Sequence, residues 1–180
     1  MDATTLIATL QQEVPDARFE AAPTVDLHTT IYASRDHLLA VARVLRDHAD
    51  LRYAFLAEIT AVDILPAAPR FELVYVLVSI AHKQRLRLKV RVAGDDAHVG
   101  TLSGLWPAAN WLEREVWDMF GIAFDGHPDP RRLLMPEDWE GFPLRKDYPV
   151  QIRQTPHTLS ALQVTEQEFR DNIMKDRLNR

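Results

Sequence analysis

Six prolines recur at short intervals in the last third of the chain, and they limit what that third can fold into. They stand at positions 128, 130, 136, 143, 149 and 156. Proline lacks an amide hydrogen and fixes its own φ, so a continuous helix or a central strand is excluded there. Apolar residues between positions 122 and 157 also follow no regular period. The sequence therefore predicts an extended, proline-rich arm over residues 122–180 that has no core of its own.

Residues 1–121 carry the regular patterns of a folded domain. Helical spacing predicts helices over residues 4–14, 35–50 and 108–120, and β-branched or alternating runs predict strands over residues 25–33, 53–65, 71–82 and 84–92. We therefore expect an α+β fold in which helices cover a mainly antiparallel sheet. The domain ends at Gly121, and the arm after it ends in a helix that begins near Thr165.

A basic row marks the strand predicted over residues 84–92. Its apolar residues alternate strictly with Arg85, Arg87, Lys89 and Arg91, so the four basic side chains share one face of the sheet. We interpret this row as a solvated sheet face. A docking face for an acidic partner is the alternative.

Composition excludes several classes of protein. The 180 residues have a formal net charge of −5, which argues against a general nucleic-acid binder. The chain contains no cysteine, so it cannot ligate zinc or an iron–sulfur cluster through thiolates. Its longest apolar run, residues 73–81, is far shorter than the roughly 20 residues of a membrane-spanning helix. Any association with a membrane is therefore expected to pass through a partner.

Charged and aromatic side chains are densest over residues 113–149. Glu115, Asp118 and His127 are candidate ligands for a metal-dependent hydrolase, but their spacing matches no metal motif such as H-E-x-x-H. The chain also lacks a nucleophile elbow, a phosphate-binding loop and a dinucleotide-binding glycine motif. Arg114 and Asp118 are four residues apart on one helix and can pair with each other.

Recognition of another protein explains this stretch better than catalysis does. Aromatic residues and arginine are enriched in protein interfaces. Arg131, Arg132, Arg145 and Lys146 are expected to be largely solvated in the free domain and to contact carboxylates or carbonyls of a partner. The sequence thus favours a recognition arm over a reaction centre.

The same stretch, "EREVWDMFGIAFDGHPDPRRLLMPEDWEGFPLRKDYP", closely resembles the signature of the C-subunit family of NADH–quinone oxidoreductase. This is the family of the 30-kDa subunit of respiratory complex I. The order of strands and helices before the signature resembles the family as well. Two positions depart from the usual pattern, with Pro130 in place of leucine and Phe142 in place of histidine.

The resemblance implies a hydrophilic, non-catalytic subunit in the peripheral arm of a proton-translocating NADH:quinone oxidoreductase. Iron–sulfur clusters, FMN, NADH and quinone are then bound by partner subunits, and this chain binds no metal or cofactor. The implied location is the cytoplasmic side of the bacterial plasma membrane, with membrane contact only through the complex. Related membrane-bound hydrogenases and F420H2 or ferredoxin dehydrogenases contain equivalent subunits and are the alternative.

The resemblance also implies the partners. The arm wraps the 49-kDa (D) subunit of the same complex, near the B and I subunits, and no nucleic acid is involved. The residues expected at this subunit interface are Glu113, Arg114, Glu115, Asp118, His127, Arg131, Arg132, Arg145, Lys146 and Asp147.

Overall fold

The computed structural model describes residues 2–23, 26 and 28–149 of the chain. The terminal helix predicted from Thr165 lies outside these residues. The chain divides into two units, Met1–Tyr148 and Pro149–Arg180. The first unit therefore continues past Gly121, where the sequence placed the start of the arm, and it includes residues 122–148.

The described residues of the first unit form three α-helices, all of them predicted, and a short 3-10 helix (Arg35–His37) that leads into the second. Asp2 caps the first one by accepting a 3.0 Å hydrogen bond from the amide of Thr5, which would otherwise lack a partner. The last one ends at Gly121, whose φ of +70° is the left-handed conformation usual after a helix. Among the described residues, no helix is long and apolar enough to cross a membrane. The helices are α1 (Ala3–Glu13), α2 (Leu38–Asp47) and α3 (Ala109–Phe120).

Seven strands accompany the helices: β1 (Phe19–Ala21), β2 (Thr29–Ala33), β3 (Phe55–Asp63), β4 (Phe71–Ser79), β5 (Gln84–Val92), β6 (His98–Gly100) and β7 (Ala123–Asp125). The first five form one sheet in the order β1-β2-β5-β4-β3, in which only β2 and β5 run parallel. Strands β6 and β7 form a separate parallel pair. The predicted α+β fold with a mainly antiparallel sheet is confirmed.

The core lies on the inward face of this sheet. Strands β4 and β5 pair along their full length, and the register places Leu73 opposite Val90, and Tyr75 opposite Leu88. These inward side chains are completely buried and form one hydrophobic core with Leu6 and Leu10 of α1 and with the inward residues of α2 and α3. Apolar and polar residues alternate along β5, so its apolar side chains lie on one face of the sheet. The helices pack against that face.

The basic row of β5 lies on the other face of the sheet. Three of its four side chains are neutralised by the chain's own carboxylates, at distances of 2.8–2.9 Å. Arg91 also lies over the ring of Tyr32, 3.8 Å from its centroid. The row is thus a charge-balanced face rather than a cluster of unpaired cations. The pairs are Arg87–Asp26, Lys89–Glu72 and Arg91–Glu20.

A matched pair of tyrosines tests this description of core and face. The hydroxyl of Tyr75 is fully buried and has no hydrogen-bond partner among the described residues, whereas that of Tyr32 donates to Glu72 at 2.6 Å. Removing an unsatisfied buried hydroxyl costs little, but losing a hydrogen bond to a carboxylate costs about 1.5–3 kcal/mol. In urea unfolding, Tyr75→Phe should match or exceed the wild-type stability and Tyr32→Phe should fall below it. The reverse order would contradict the assigned contacts.

Candidate functional site

The segment 122–148 packs on the last turn of α3 through one carboxylate. The side chain of Asp118 is completely buried, and its Oδ2 accepts hydrogen bonds from three consecutive amides, at 3.0, 2.7 and 2.9 Å. Its Oδ1 accepts from the guanidinium of Arg132 at 2.6 Å. Burial acts to raise the pKa of Asp118, but these hydrogen bonds outweigh it and hold the pKa below its ordinary value. The three amides belong to Leu133, Leu134 and Met135.

Arg132 connects Asp118 to residues further along the segment. Its second terminal nitrogen donates to the carbonyl oxygens of Trp139, at 2.8 Å, and Gly141, at 3.3 Å. The guanidinium also lies over the rings of Trp117 and Phe142, 5.5 and 5.7 Å from the centroids. Its side chain is only 13% exposed. A single cation therefore ties the helix to two later turns of the segment.

Arg114 binds the segment instead of its helical neighbour. It donates to the carbonyl oxygens of Arg131 and Arg132, both at 3.0 Å, and lies over the ring of Trp111. The pair that the spacing allows between Arg114 and Asp118 therefore does not form. Asp118 and Arg114 both turn towards the segment, where each makes more hydrogen bonds than a surface ion pair would supply.

Arg145 caps the end of α3. It donates to the carbonyl oxygens of Phe120 and Gly121, and its guanidinium lies over the rings of Phe142 and Phe71, 4.5 and 5.4 Å from the centroids. The last carbonyls of a helix lack partners and carry partial negative charge, so a cation is stabilised there. Burial lowers the pKa of Arg145. The expectation that Arg132 and Arg145 are largely solvated is therefore wrong.

The side chains of Arg145 and Phe142 approach the end of α3 so closely that only glycine fits at position 121. A Cβ atom on Gly121 would lie 2.6 Å from the Nη2 atom of Arg145 and would also overlap the ring of Phe142. The left-handed φ of Gly121 is a second reason, because residues with a side chain adopt it at a cost.

A second charged cluster ties the end of the segment to the loop between β3 and β4. Asp63 is 5% exposed and pairs with Arg70 at 2.7 Å, and Arg70 also binds both carboxylate oxygens of Asp147. The amide of Lys146 donates to Asp63, and its ammonium donates to the carbonyl of Leu65. Hydrogen bonds from Arg70 and from two backbone amides lower the pKa of Asp63 to about 2. The cluster fixes the last turn before Pro149.

Glu113 is the other buried carboxyl of α3. It is completely buried and accepts hydrogen bonds from the hydroxyl of Thr101 and, at 2.7 Å, from the amide of Leu102. It borders a small cavity of about 90 Å³. Burial raises the pKa of Glu113 to about 7, because the two hydrogen bonds only partly offset the loss of solvent. At a pH somewhat below 7, Asp118 is therefore ionised while Glu113 is mostly protonated, although they lie on the same helix.

His127 lies beside this carboxyl but is hydrogen-bonded elsewhere. Its Nε2 atom is 3.9 Å from Glu113 and 3.0 Å from the carbonyl oxygen of Asn110, and its Nδ1 atom accepts from the amide of Asp129. Because Nδ1 accepts, Nε2 carries the proton and donates to Asn110. The imidazole thus fixes the turn after β7.

The three candidate metal ligands do not converge. Glu115 is exposed, Asp118 is saturated by the segment, and His127 is saturated by backbone groups. Within the described ranges, no group of three or more His, Cys, Asp or Glu side chains is arranged to hold a metal. The geometry offers no support for the hydrolase alternative.

The predicted interface residues fall into two groups. Four are exposed: Glu115, Arg131, Lys146 and Asp147. The other six have little or partial exposure: Glu113, Arg114, Asp118, His127, Arg132 and Arg145. All of these except Glu113 form hydrogen bonds between the segment and the domain, whereas Glu113 binds Thr101 and Leu102. Sequence reasoning missed Asp63 and Arg70, whose only signal was an aspartate at the end of a strand and an arginine at the start of the next.

Comparisons with known proteins agree on a family. The profile described as "Respiratory-chain NADH dehydrogenase, 30 Kd subunit" matches residues 31–154. The C subunit of NADH-quinone oxidoreductase from Roseiflexus sp. (strain RS-1) is 45% identical over 161 residues, which cover 89% of this chain and 91% of the relative. The corresponding protein of Citrifermentans bemidjiense is 48% identical over 122 residues, covering 68% of this chain and 74% of the relative.

Solved structures show the same fold. A trypsin-resistant fragment of Nqo5 superposes with a TM-score of 0.55 and 28% identity, covering 72% of this chain and 99% of the fragment. A chain of the membrane-bound sulfane sulfur reductase, an archaeal respiratory membrane complex, superposes with a TM-score of 0.66 and 25% identity. That match covers 82% of this chain and 85% of the other.

Arg145 provides a test of the packed segment. Arg145→Glu replaces a half-buried cation with an anion beside the carbonyls of Phe120 and Gly121, so the isolated chain should lose about 2–4 kcal/mol of unfolding free energy. Arg131→Glu is the control, because that side chain is 73% exposed. Urea unfolding of both variants measures the difference. Equal stability of the two would show that Arg145 does not hold the segment.

Glu113 gives a pH-dependent prediction. Its pKa is about 7 when folded and near 4.5 when unfolded, so the folded state holds a proton that the unfolded state has lost between these values. The contribution of this proton is present at low pH and disappears as pH rises to 7, a change of about 3 kcal/mol. Glu113→Gln should flatten the unfolding free energy between pH 5 and 7. Glu115→Gln, an exposed neighbour, should follow the wild-type curve, and identical curves for both variants would contradict the assignment.

Proposed function

The chain belongs to the 30-kDa subunit family of the respiratory-chain NADH dehydrogenase, and from this premise we propose that it serves as the C (30-kDa) subunit of a proton-translocating NADH:quinone oxidoreductase. The observation that carries the proposal is the match of residues 31–154 to the family, together with relatives that align over 91% of their length. The chain contributes to the enzymatic activity of the complex as a structural subunit. It supports electron transfer from NADH to quinone without reacting itself.

The geometry of residues 113–148 supports a role without catalysis. Most polar side chains of this stretch that could act in chemistry are occupied in holding the segment, as Asp118 and Arg132 illustrate. Side chains saturated in this way are not free to bind substrate or transfer protons. What remains available is a surface of fixed shape, which suits contact with a partner.

The cofactors belong to other subunits under this proposal. The sequence contains no cysteine, so iron–sulfur clusters are ligated by partner chains, and FMN, NADH and quinone are bound there as well. The proposed neighbours are the 49-kDa (D) subunit and the B and I subunits. The proposed location is the cytoplasmic side of the bacterial plasma membrane, with the membrane reached through the complex.

The interface residues act in two ways. Glu115, Arg131, Lys146 and Asp147 are exposed and are proposed to touch the partner directly. The six less exposed residues are proposed to act indirectly, because they set the conformation that the partner meets. This division refines the expectation that all ten lie at the subunit interface.

A second candidate is an equivalent subunit in a related respiratory complex. The likeness to a chain of the membrane-bound sulfane sulfur reductase favours this alternative, because that complex differs from an NADH dehydrogenase in the activity for which it is named. Sequence identity to the relatives distinguishes the two candidates. Relatives named as C subunits of NADH-quinone oxidoreductase reach 45–50% identity, whereas the reductase chain reaches 25%.

Purification of the full-length chain from its own host tests the proposal. A tagged chain extracted in mild detergent should bring with it a multi-subunit complex that contains iron–sulfur clusters and oxidises NADH with a quinone acceptor. The Asp118→Ala variant should be lost from this complex, and Asp16→Ala, at an exposed position of the domain, should remain. Recovery of the wild-type chain alone would refute the proposal, and a complex that reduces sulfur species but not quinone would favour the alternative.

A further inference from the structure

Two leucines of the segment are exposed although their backbone is held firmly. Leu134 is 60% exposed and Leu144 is 54% exposed. The amide of Leu134 donates to Asp118 at 2.7 Å, and the amide of Leu144 donates to the carbonyl of Met119 at 3.1 Å. Because these two anchors are consecutive residues of α3, both leucines are presented from the same end of the helix.

The folded chain gives these leucine side chains no comparable role. Their neighbours Arg132, Phe142 and Arg145 are occupied by the contacts at the end of α3. Burying a leucine side chain is favourable, and more than half of each of these two side chains remains in solvent. A single exposed leucine is ordinary on a protein surface, but here two leucines are held by the same helix end, so the segment offers two apolar contacts of fixed position.

Acidic side chains lie in the loop that joins the two leucines. Glu137, Asp138 and Glu140 are exposed, and none of them forms a salt bridge with another described residue. The loop is nevertheless fixed, because Arg132 donates to the carbonyl of Trp139 and the ring of Trp139 stacks on Tyr148 with centroids 6.5 Å apart. Three carboxylates that form no salt bridge within the described chain therefore lie between the two leucines along the segment.

We propose that Leu134 and Leu144 are the apolar anchors of a docking surface for another subunit of the complex, which presents an apolar patch bordered by lysine or arginine. The inference rests on the proposed function and adds the chemistry of the contact. The three carboxylates determine the charge of the partner's rim, because complementary charges steer association and like charges oppose it. Apolar burial at the centre and charge at the rim is the usual arrangement of an interface.

The arginines have a different role in this arrangement. Arg132 and Arg145 shape the surface from inside, whereas Leu134, Leu144 and the three carboxylates supply a contact in addition to that of the exposed Arg131 and Lys146. The sequence instead led to the expectation that basic residues of the segment bind carboxylates of a partner. That expectation predicts an acidic patch on the partner, whereas the present inference predicts lysine or arginine at its rim.

The test uses full-length variants in the native host, followed by detergent purification of the complex. The first variant combines Leu134→Ser with Leu144→Ser, and its control is Ile80→Ser, since Ile80 is 73% exposed at the turn between β4 and β5. The second variant replaces the three rim carboxylates by lysine. Its control carries the same reversal at Glu13, Asp16 and Asp50, which are exposed elsewhere on the domain. Melting curves of each isolated chain confirm that folding is kept.

The leucine variant should be retained in the complex at about a tenth of the wild-type level or less, as expected for loss of interface anchors. The rim variant should also be retained less than its control, and salt should weaken the wild-type association. Normal retention of both variants overturns the inference while leaving the proposed function intact. Failure of the wild-type chain to enter any complex overturns both. Self-association of the isolated chain that the leucine variant abolishes would identify a second copy as the occupant and would also overturn the inference.

Discussion

The carbonyl end of α3 is the constraint on which the rest of the segment depends. A helix ends with carbonyl groups that have no partner and with partial negative charge, and here the fully buried Asp118 adds a full charge to that end. The hydrogen-bond donors that satisfy these carbonyls and this carboxylate come from residues 132–145. Arg132 binds the carboxylate, three amides complete its shell, and Arg145 and the amide of Leu144 take the last carbonyls. The segment is therefore the cap of the helix.

This cap gives the motif-rich stretch a physical purpose. Its arginines and aspartates are spaced to meet one helix end and one strand end, and Asp63 and Arg70 provide the second attachment. Regular secondary structure is unnecessary for such a segment, because side chains bind its backbone directly. The segment can then offer a partner a surface whose shape is set before assembly, which reduces the entropy lost on binding.

The regular elements were predictable and the cap was not. Strict alternation in β5 and helical spacing in α3 identified those elements, because burial of one face imposes a period on the sequence. Strands β1, β6 and β7 have only three residues each, carry no such period and were not predicted. The pair allowed by the spacing of Arg114 and Asp118 does not form, and spacing along a helix says nothing about competing partners from residues 131–135. Likewise, the prolines correctly excluded helix and central strand from most of residues 122–148, but they do not exclude a fixed irregular structure.

Hydrogen exchange of the isolated, monomeric chain tests the central claim most directly. The amides of Leu133, Leu134 and Met135 donate to a buried carboxylate. If the cap forms without a partner, these three amides exchange far more slowly than those of an unstructured peptide, with protection that approaches that of β4 and β5. Exchange at the rate of an unstructured peptide, while β4 and β5 stay protected, would contradict the account and show that the segment becomes ordered only in the complex.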